Sequence, residues 1–199
     1  MECHTLFLDE IIDGTFVNEC NHLVFCSNSE TLKLLDLNTG CCEFYAGHSD
    51  IVISLDKYQV KAEDGKIDES KAFILSGGKD SEVRLWRFDA NAGILEKLKC
   101  LAVFRGHNQN ICSVNFAPKR GKLFVSASQD STIKVWDIKK FMGDADSTHS
   151  DNIEVVNQAT MTVMAHRKYI NVAKFSPNDK IIATASQDKS IKLWAAKDL

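Results

Sequence analysis

The chain has 199 residues, 44% hydrophobic and 26% charged, and its 24 Lys+Arg against 27 Asp+Glu leave a net charge of −3. That near-balance excludes a polybasic nucleic-acid tail and an acidic disordered chain, and two prolines and ten glycines exclude a collagen-like protein or a linker. No run approaches the ~18 consecutive apolar residues of a membrane span, and Met1-Glu2-Cys3-His4-Thr5 opens neither the basic nor the apolar region of a secretory signal.

In chain order, Cys3–Leu8 (CHTLFL) reads as a lone strand, and residues 9–46 as a first unit of short alternating strands. Its centre is Cys26-Ser27-Asn28-Ser29-Glu30-Thr31-Leu32-Lys33-Leu34-Leu35-Asp36, and the turn Asn38-Thr39-Gly40 follows. A second unit, residues 47–104, opens on Gly47-His48 and carries Leu75-Ser-Gly-Gly-Lys-Asp-Ser-Glu-Val-Arg-Leu-Trp86. A third, 105–164, opens on Gly106-His107 and carries Val125-Ser-Ala-Ser-Gln-Asp-Ser-Thr-Ile-Lys-Val-Trp136. The fourth, 165–199, has Ala165-His166, the turn Pro177-Asn178-Asp179, and Ala183-Thr-Ala-Ser-Gln-Asp-Lys-Ser-Ile-Lys-Leu-Trp194. Each of the last three units places an Asp six residues before a Trp, and together they use all three Trp in the chain. The His-to-Asp gaps are 32, 23 and 22 residues, the first lengthened by the polar segment 61–70 (KAEDGKIDES). That segment and 143–154 (GDADSTHSDNIE) lack apolar periodicity and read as mobile surface loops.

The repeated residues define a hydrogen-bond relay. An Asp in a tight turn can accept from the ring N–H of the preceding His, the His can engage a hydroxyl on the strand before the turn, and that hydroxyl can accept from the Trp indole. Four residues before each Asp a hydroxyl is always present (Ser76, Ser126, Thr184), whereas two residues before it stand Gly78, Ser128 and Ser186. The expected sets are therefore His48/Ser76/Asp80/Trp86, His107/Ser126/Asp130/Trp136 and His166/Thr184/Asp188/Trp194. The first unit has Ser29 and Leu35 where Asp and Trp would stand, and cannot form the relay.

His, Asp and Ser also compose hydrolase triads, but a catalytic site is needed once, the constellation occurs three times, and no G-x-S-x-G elbow is present. The six His lack the clustered spacing of metal ligands, and Gly77-Gly78-Lys79 is no phosphate-binding loop, so neither metal nor cofactor is expected. Seven cysteines (Cys3, Cys20, Cys26, Cys41, Cys42, Cys100, Cys112) without a C-x-x-C pair read as small buried thiols in a reducing compartment rather than a disulfide framework.

The Gly-His, turn Asp and Trp at these spacings resemble the WD40-repeat family, which implies an all-β propeller of four-stranded blades. Four units make about four blades, and the last Trp stands five residues from the chain end; because rings of the family it resembles usually have seven blades, the chain reads as part of a seven-bladed propeller. Ser27–Lys33, Gly47–Val52 and Asn178–Ala195, with the departures at Ser29 and Leu35, resemble more narrowly the transducin beta-like WD40 proteins of the small-subunit processome, over roughly residues 6–199. That resemblance implies a protein of two tandem propellers, a non-catalytic nucleolar scaffold in 18S pre-rRNA processing that is partnered by other WD40 and processome proteins and acts with a small nucleolar RNA. Contact with that RNA and with pre-rRNA is expected to be indirect, given the net charge of −3. The other reading is a WD40 adaptor of another complex, a ubiquitin-ligase substrate receptor or a G-protein-beta-like signalling scaffold. Trp86-Arg-Phe-Asp, Trp136-Asp-Ile-Lys and Trp194-Ala-Ala-Lys lack the Trp-Asp-x-Arg of such receptors. Lys119-Arg120-Gly121-Lys122 and Lys139-Lys140 could meet phosphates, but no RNP-type aromatics accompany them, and the net charge of −3 favours protein partners. The expected partner-binding rim is the residue before each turn Asp (Lys79, Gln129, Gln187) and the third after each His (Ile51, Asn110, Tyr169).

Overall fold

Strands here are apolar on both faces: in Leu123–Ser128 (LFVSAS) every residue is buried, which requires a sheet covered on both sides. The computed structural model describes residues 10–61, 67–93, 96–142 and 152–196; the expected strand at 3–8 lies outside them. The first sheet is formed by β1 (Ile11–Val17), β2 (His22–Ser27), β3 (Leu32–Asp36) and β4 (Cys42–Tyr45), each antiparallel to the next. The second follows the same up-and-down order with β5 (Val52–Lys61), β6 (Ile67–Gly78), β7 (Val83–Asp89) and β8 (Leu98–Phe104). In the third, β9 (Ile111–Phe116), β10 (Leu123–Ser128) and β11 (Thr132–Asp137) are joined by β13 (Met161–Met164). Among the described residues the fourth has three strands, β14 (Ile170–Phe175), β15 (Ile181–Ser186) and β16 (Ile191–Ala195). Among the described residues the result is a partial propeller, with no closed barrel.

Two polar segments do more than loop. The segment 61–70 is not the expected surface loop throughout: Lys61 ends β5 and Ile67–Ser70 begin β6, so the two strands run on as a long hairpin. Its register is fastened by the Gln59 amide, which donates to the Asp68 and Lys71 carbonyls at 3.1 and 3.3 Å; residues 62–66 lie outside the described set. From the insertion after β11, residues 143–151 also lie outside it. Its end forms β12 (Glu154–Val156), which adds in parallel to the outer edge of β8, with Glu154 opposite Ala102 and Val156 opposite Phe104. An unpaired strand edge is an association hazard, and the third blade's insertion covers part of the second blade's edge.

The core lies between sheets. Leu32 and Leu34 of the first sheet meet Ile74, Trp86 and Phe88 of the second. Leu75, Val83 and Leu85 meet Phe116, Phe124 and Trp136 of the third. Val125, Ile133 and Val135 meet Ile170, Phe175 and Ile182 of the fourth, with Trp194 packed alongside. In the second and third sheets strand alternation thus sends side chains forward into one interface and back into another. The forward face of the fourth sheet carries the equivalent residues uncovered, with Ile191 75% and Leu193 69% exposed.

A second ladder joins the innermost strands. A polar side chain on each accepts from the backbone of the next: Asp13 Oδ2 from Leu55 N at 2.7 Å, Asp56 Oδ2 from Phe116 N at 2.7 Å, and Asn115 Oδ1 from Phe175 N at 2.7 Å. Ser54 and Ser113 add bonds from Val114 N and Ala173 N, each 3.3 Å.

Candidate functional site

The turn after β6, β10 and β15 is built alike. Each turn Asp is followed by a left-handed residue, Ser81 (φ 65°), Ser131 (φ 69°) or Lys189 (φ 67°), which lets the next strand begin at once. The turn thereby points the Asp carboxylate back at the His that precedes the innermost strand. His48 Nδ1 lies 2.8 Å from Asp80 Oδ2, His107 Nδ1 2.9 Å from Asp130 Oδ2, and His166 Nδ1 2.9 Å from Asp188 Oδ2. The other ring nitrogen reaches Ser76 Oγ at 2.7 Å, Ser126 Oγ at 2.8 Å and Thr184 Oγ1 at 2.7 Å. Those hydroxyls accept from the indoles of Trp86, Trp136 and Trp194 at 2.8, 2.9 and 3.0 Å. All twelve residues singled out for these sets are therefore in three equivalent networks.

Donor–acceptor counting assigns the tautomer. The ionised carboxylate can only accept, so Nδ1 carries the ring proton and donates it to the Asp; Nε2 of the neutral ring is then an acceptor and takes the proton of the hydroxyl, which itself accepts from the indole. Each carboxylate also accepts a backbone amide, from Ser49, Asn108 or Arg167. For Asp80 and Asp130, burial is the largest single effect and pushes the carboxyl up, but the His hydrogen bond and charge, the backbone amides and, at Asp130, the Thr132 hydroxyl together outweigh it; both lie below the usual carboxylate range. Asp188 is held low chiefly by the Ser190 hydroxyl, with His166 adding to it against a smaller opposing effect of desolvation.

The Ser–His–Asp geometry has the connectivity of a hydrolase triad, but the hydroxyls are sealed. Ser76 and Ser126 are 0% exposed and Thr184 1%, and each oxygen is already engaged by an indole, so no substrate carbonyl can approach it. The three networks lock strand register. Among the described residues no group of three or more His, Cys, Asp or Glu is placed to hold a metal ion.

In the first sheet the same positions hold different chemistry. Phe25 stands where the others have the hydroxyl, Leu35 where they have Trp, and Ser27 and Ser29 where the second sheet has Gly78 and Asp80. The buried Lys33 ammonium donates to the Ser27 hydroxyl, and lies 3.5 Å from Ser29 Oγ and 5.9 Å from the Phe25 ring centre. A lysine cation thus fills a site that elsewhere takes a His–Asp pair.

The expected rim residues come together in pairs through the backbone. Lys79 N donates to Ile51 O at 2.8 Å, Gln129 N to Asn110 O at 3.0 Å, and Gln187 N to Tyr169 O at 3.0 Å. Lys79, Gln187 and Tyr169 are exposed, and Ile51, Asn110 and Gln129 half-buried. The expectation of buried thiols is corrected. Cys26 is buried, and burial pushes its thiol up to about 12, but Cys20 and Cys41 are exposed and Cys42, Cys100 and Cys112 intermediate. Cys20 lies in the turn after β1 and Cys41 directly before β4, both at sheet ends; Cys3 lies outside the described residues.

The polar ladder of Asp13, Ser54, Asp56, Ser113 and Asn115 is not anticipated by the motif pattern, nor is Asp179, which accepts from the amides of Lys119 and Arg120 at 3.1 and 2.7 Å. Ser54 and Ser113, like Asp56 and Asn115, stand 59 residues apart, a spacing shared by His48 and His107. That recurrence is the signal the sequence offers.

Comparison with known proteins agrees with this architecture. The WD40 family, described as "WD domain, G-beta repeat", matches residues 39–87, 98–137 and 157–195. The chain is similar to human Transducin beta-like protein 3, 34% identical over 191 residues that make up 95% of this chain and 22% of that protein. It is similar also to U3 small nucleolar RNA-associated protein 13 of Saccharomyces cerevisiae, 33% identical over 198 residues, 92% of this chain and 22% of that protein. A more distant likeness is the Ribosome biogenesis protein WDR12 homolog of Oryza sativa subsp. japonica, 25% identical over 77% of this chain and 36% of that protein. The chain spans about a fifth of the length of the first two. With three matched repeats, three His–Asp–hydroxyl–Trp networks and four sheets in propeller order, the chain belongs to the WD40-repeat family.

Proposed function

We propose that this chain is part of a non-catalytic WD40 scaffold in ribosome biogenesis, a subunit of the small-subunit processome that acts in 18S pre-rRNA processing with a small nucleolar ribonucleoprotein in the nucleolus. One observation carries the reading: nearly the whole chain is similar to proteins whose names are Transducin beta-like protein 3 and U3 small nucleolar RNA-associated protein 13. The geometry is compatible with it. The repeated polar constellations are spent inside the blades, which leaves the surface for contacts with other macromolecules. The rim pairs Lys79/Ile51, Gln129/Asn110 and Gln187/Tyr169 are the proposed contacts with protein partners.

The test is sedimentation of a nuclear extract containing the tagged full-length protein. Co-migration with U3 small nucleolar RNA in a large particle that RNase treatment collapses is the expected result. Migration in a cullin-sized, RNase-resistant complex overturns the reading in favour of a ligase adaptor.

A further inference from the structure

The net charge of −3 is unevenly spread: residues 1–104 carry 10 Lys+Arg against 18 Asp+Glu, and residues 105–199 carry 14 against 9. In the second half the described carboxylates are mostly occupied. Asp130 and Asp188 belong to the His networks, Asp179 is buried on the Lys119 and Arg120 amides, and Glu154 pairs with Lys140. Asp137 is exposed, its Oδ1 accepting from Lys139 N at 2.7 Å.

The fold gathers the exposed cations of this half at one end. Ile138 N donates to Lys122 O at 2.8 Å, which seats Lys139 beside the turn that carries Lys119, Arg120 and Lys122. The Asp179 carboxylate fastens that turn to the next sheet's turn, where Lys180 follows. Lys119, Arg120, Lys122, Lys139 and Lys180 are all exposed, at the end of the blades opposite the His–Asp turns.

The architecture does not require basic residues there. In the first two sheets the same backbone bond runs from Leu37 N to Asn21 O and from Ala90 N to Ser70 O. Asn21 and Ser70 stand in the place of Lys122, and Asn38 and Asn91 in that of Lys139. A bond between backbone groups is indifferent to the side chain, so neutral residues serve as well, and the lysines answer a demand other than folding.

The kind of partner follows from what surrounds them. Protein interfaces centre on large apolar or aromatic side chains that become fully buried; among the described residues none of the exposed large hydrophobics falls within 117–122, 137–140 or 176–180, and a single one, Ile181 at 40% exposure, adjoins them in sequence. A phosphate backbone needs only accessible cations on flexible stems. We propose that Lys119, Arg120, Lys122, Lys139 and Lys180 form a contact surface for the phosphate backbone of RNA, held without reading base sequence. The choice of RNA among polyanions rests on the ribosome-biogenesis reading. This contact is direct, and so runs against the expectation, drawn from the net charge of −3, that RNA is reached indirectly.

Fluorescence anisotropy of the full-length protein with a labelled ~20-nucleotide RNA of arbitrary sequence tests it, with polyglutamate of matched charge as the competing polyanion. The Lys119→Glu/Arg120→Glu/Lys122→Glu variant should raise Kd at least tenfold and reduce the log–log salt slope by about 2, at about 0.7 per single-strand phosphate contact. Arg167→Glu/Lys168→Glu, at the opposite end, should change Kd less than twofold. Unchanged affinity in the triple variant overturns the proposal, as does polyglutamate displacing the RNA at equal charge concentration, which would mark an acidic-protein surface. Ultraviolet crosslinking of the unaltered protein guards against misfolding of the variant. Crosslinked peptides should span 119–122, 139 and 180, and crosslinks confined elsewhere overturn the assignment. Particle co-sedimentation without RNA binding would sink this inference and leave the scaffold reading intact. RNA binding without co-sedimentation would do the reverse.

Discussion

The first and third blades solve one problem with different chemistry. Both must fill the space between the turn and the third strand, where buried polar atoms without partners would cost about 1–3 kcal/mol each. The third blade fills it with His107, Asp130, Ser126 and Trp136, every donor and acceptor paired. The first fills it with Phe25, Leu35 and one long cation, Lys33, that reaches the Ser27 hydroxyl. The lysine position itself is shared, since Lys134 stands at the same register in the third blade, where its ammonium reaches outward to Thr162 Oγ1 at 3.0 Å. The pair teaches that a particular tetrad is not needed to fill this space, and that the lysine two residues before the Trp position turns inward in the first blade, which lacks the His–Asp pair, and outward in the third, which has it.

The sharpest way to separate the two solutions is to remove the largest part of one. Trp136→Ala deletes a ring that is 1% exposed and packs against Phe104 and Phe124 at centroid distances of 5.4 and 6.1 Å, and it takes the indole donor from the Ser126 hydroxyl, which keeps only His107 Nε2. A loss of about 3–5 kcal/mol is expected in urea unfolding followed by circular dichroism. A loss below about 1 kcal/mol would mean that the third blade tolerates the first blade's arrangement without its lysine.

Asp130→Ala removes the relay's anchor and spares its packing. It leaves the His107 Nδ1–H and the Asn108 amide without their acceptor, for an expected loss of about 1–3 kcal/mol. The three Trp all lie in blades two to four, so a fluorescence melt reports the region affected. The relay also predicts an acid limb. Folded-state carboxyls at Asp80 and Asp130 lie below their unfolded values, so their contribution is fully present above about pH 4 and is lost as pH falls through the folded values. A pH series of melts should show stability dropping in acid, with a shallower drop for Asp130→Asn.

Much of this is legible in the sequence because the relay is local in pattern. Asp-to-Trp spacing is fixed by a hairpin, and the hydroxyl four residues before the Asp follows from strand pairing, so Ser126 can be named from chain positions alone. The ladder of innermost strands is not legible, because it pairs residues such as Asp56 and Phe116, 60 apart and on separate sheets, and uses Asp, Asn or Ser interchangeably as acceptors. Lys33 is hidden for a similar reason: its role depends on the residues missing around it. The hairpin at 61–70 misleads because KIDES is polar, while its strand character comes from pairing with β5, where Ile67 stands opposite Lys61, and from the Gln59 amide; pairing with β7 reaches only to Lys71.

Lys33→Met tests the first blade's solution directly. Methionine keeps the length and packing against Phe25 and removes a cation that is 6% exposed. Ser27 and Ser29 stay paired with each other at 3.2 Å. A buried charge often gains little over an apolar residue of its size, so the expected change is under about 1 kcal/mol in either direction, read by circular dichroism since no Trp lies in this blade. A loss as large as that of Asp130→Ala would show that the lysine matters to its blade as much as the relay does to the others, and would erase the contrast between the blades.

The smallest expected effect lies at Asp56, where two blades use different residues for one bond. Asp56 Oδ2 accepts from Phe116 N and, at 3.0 Å, from the Asn115 side chain. One sheet on, Asn115 Oδ1 accepts from Phe175 N in the same way, so an amide already does this work at the equivalent position. Burial pushes the Asp56 carboxyl up, against the pull of the Phe116 amide and Lys174. A raised folded value means that the ionised form disfavours folding above it, and that the penalty fades as pH falls through it. Asp56→Asn should therefore equal or exceed the parent at pH 7 by less than about 1 kcal/mol. Its advantage should shrink in acid, the opposite slope to that expected of the relay carboxylates. A clear loss at pH 7 would show that the ladder needs a charge here, and that the second and third blades, alike in their relays, differ where their inner strands meet.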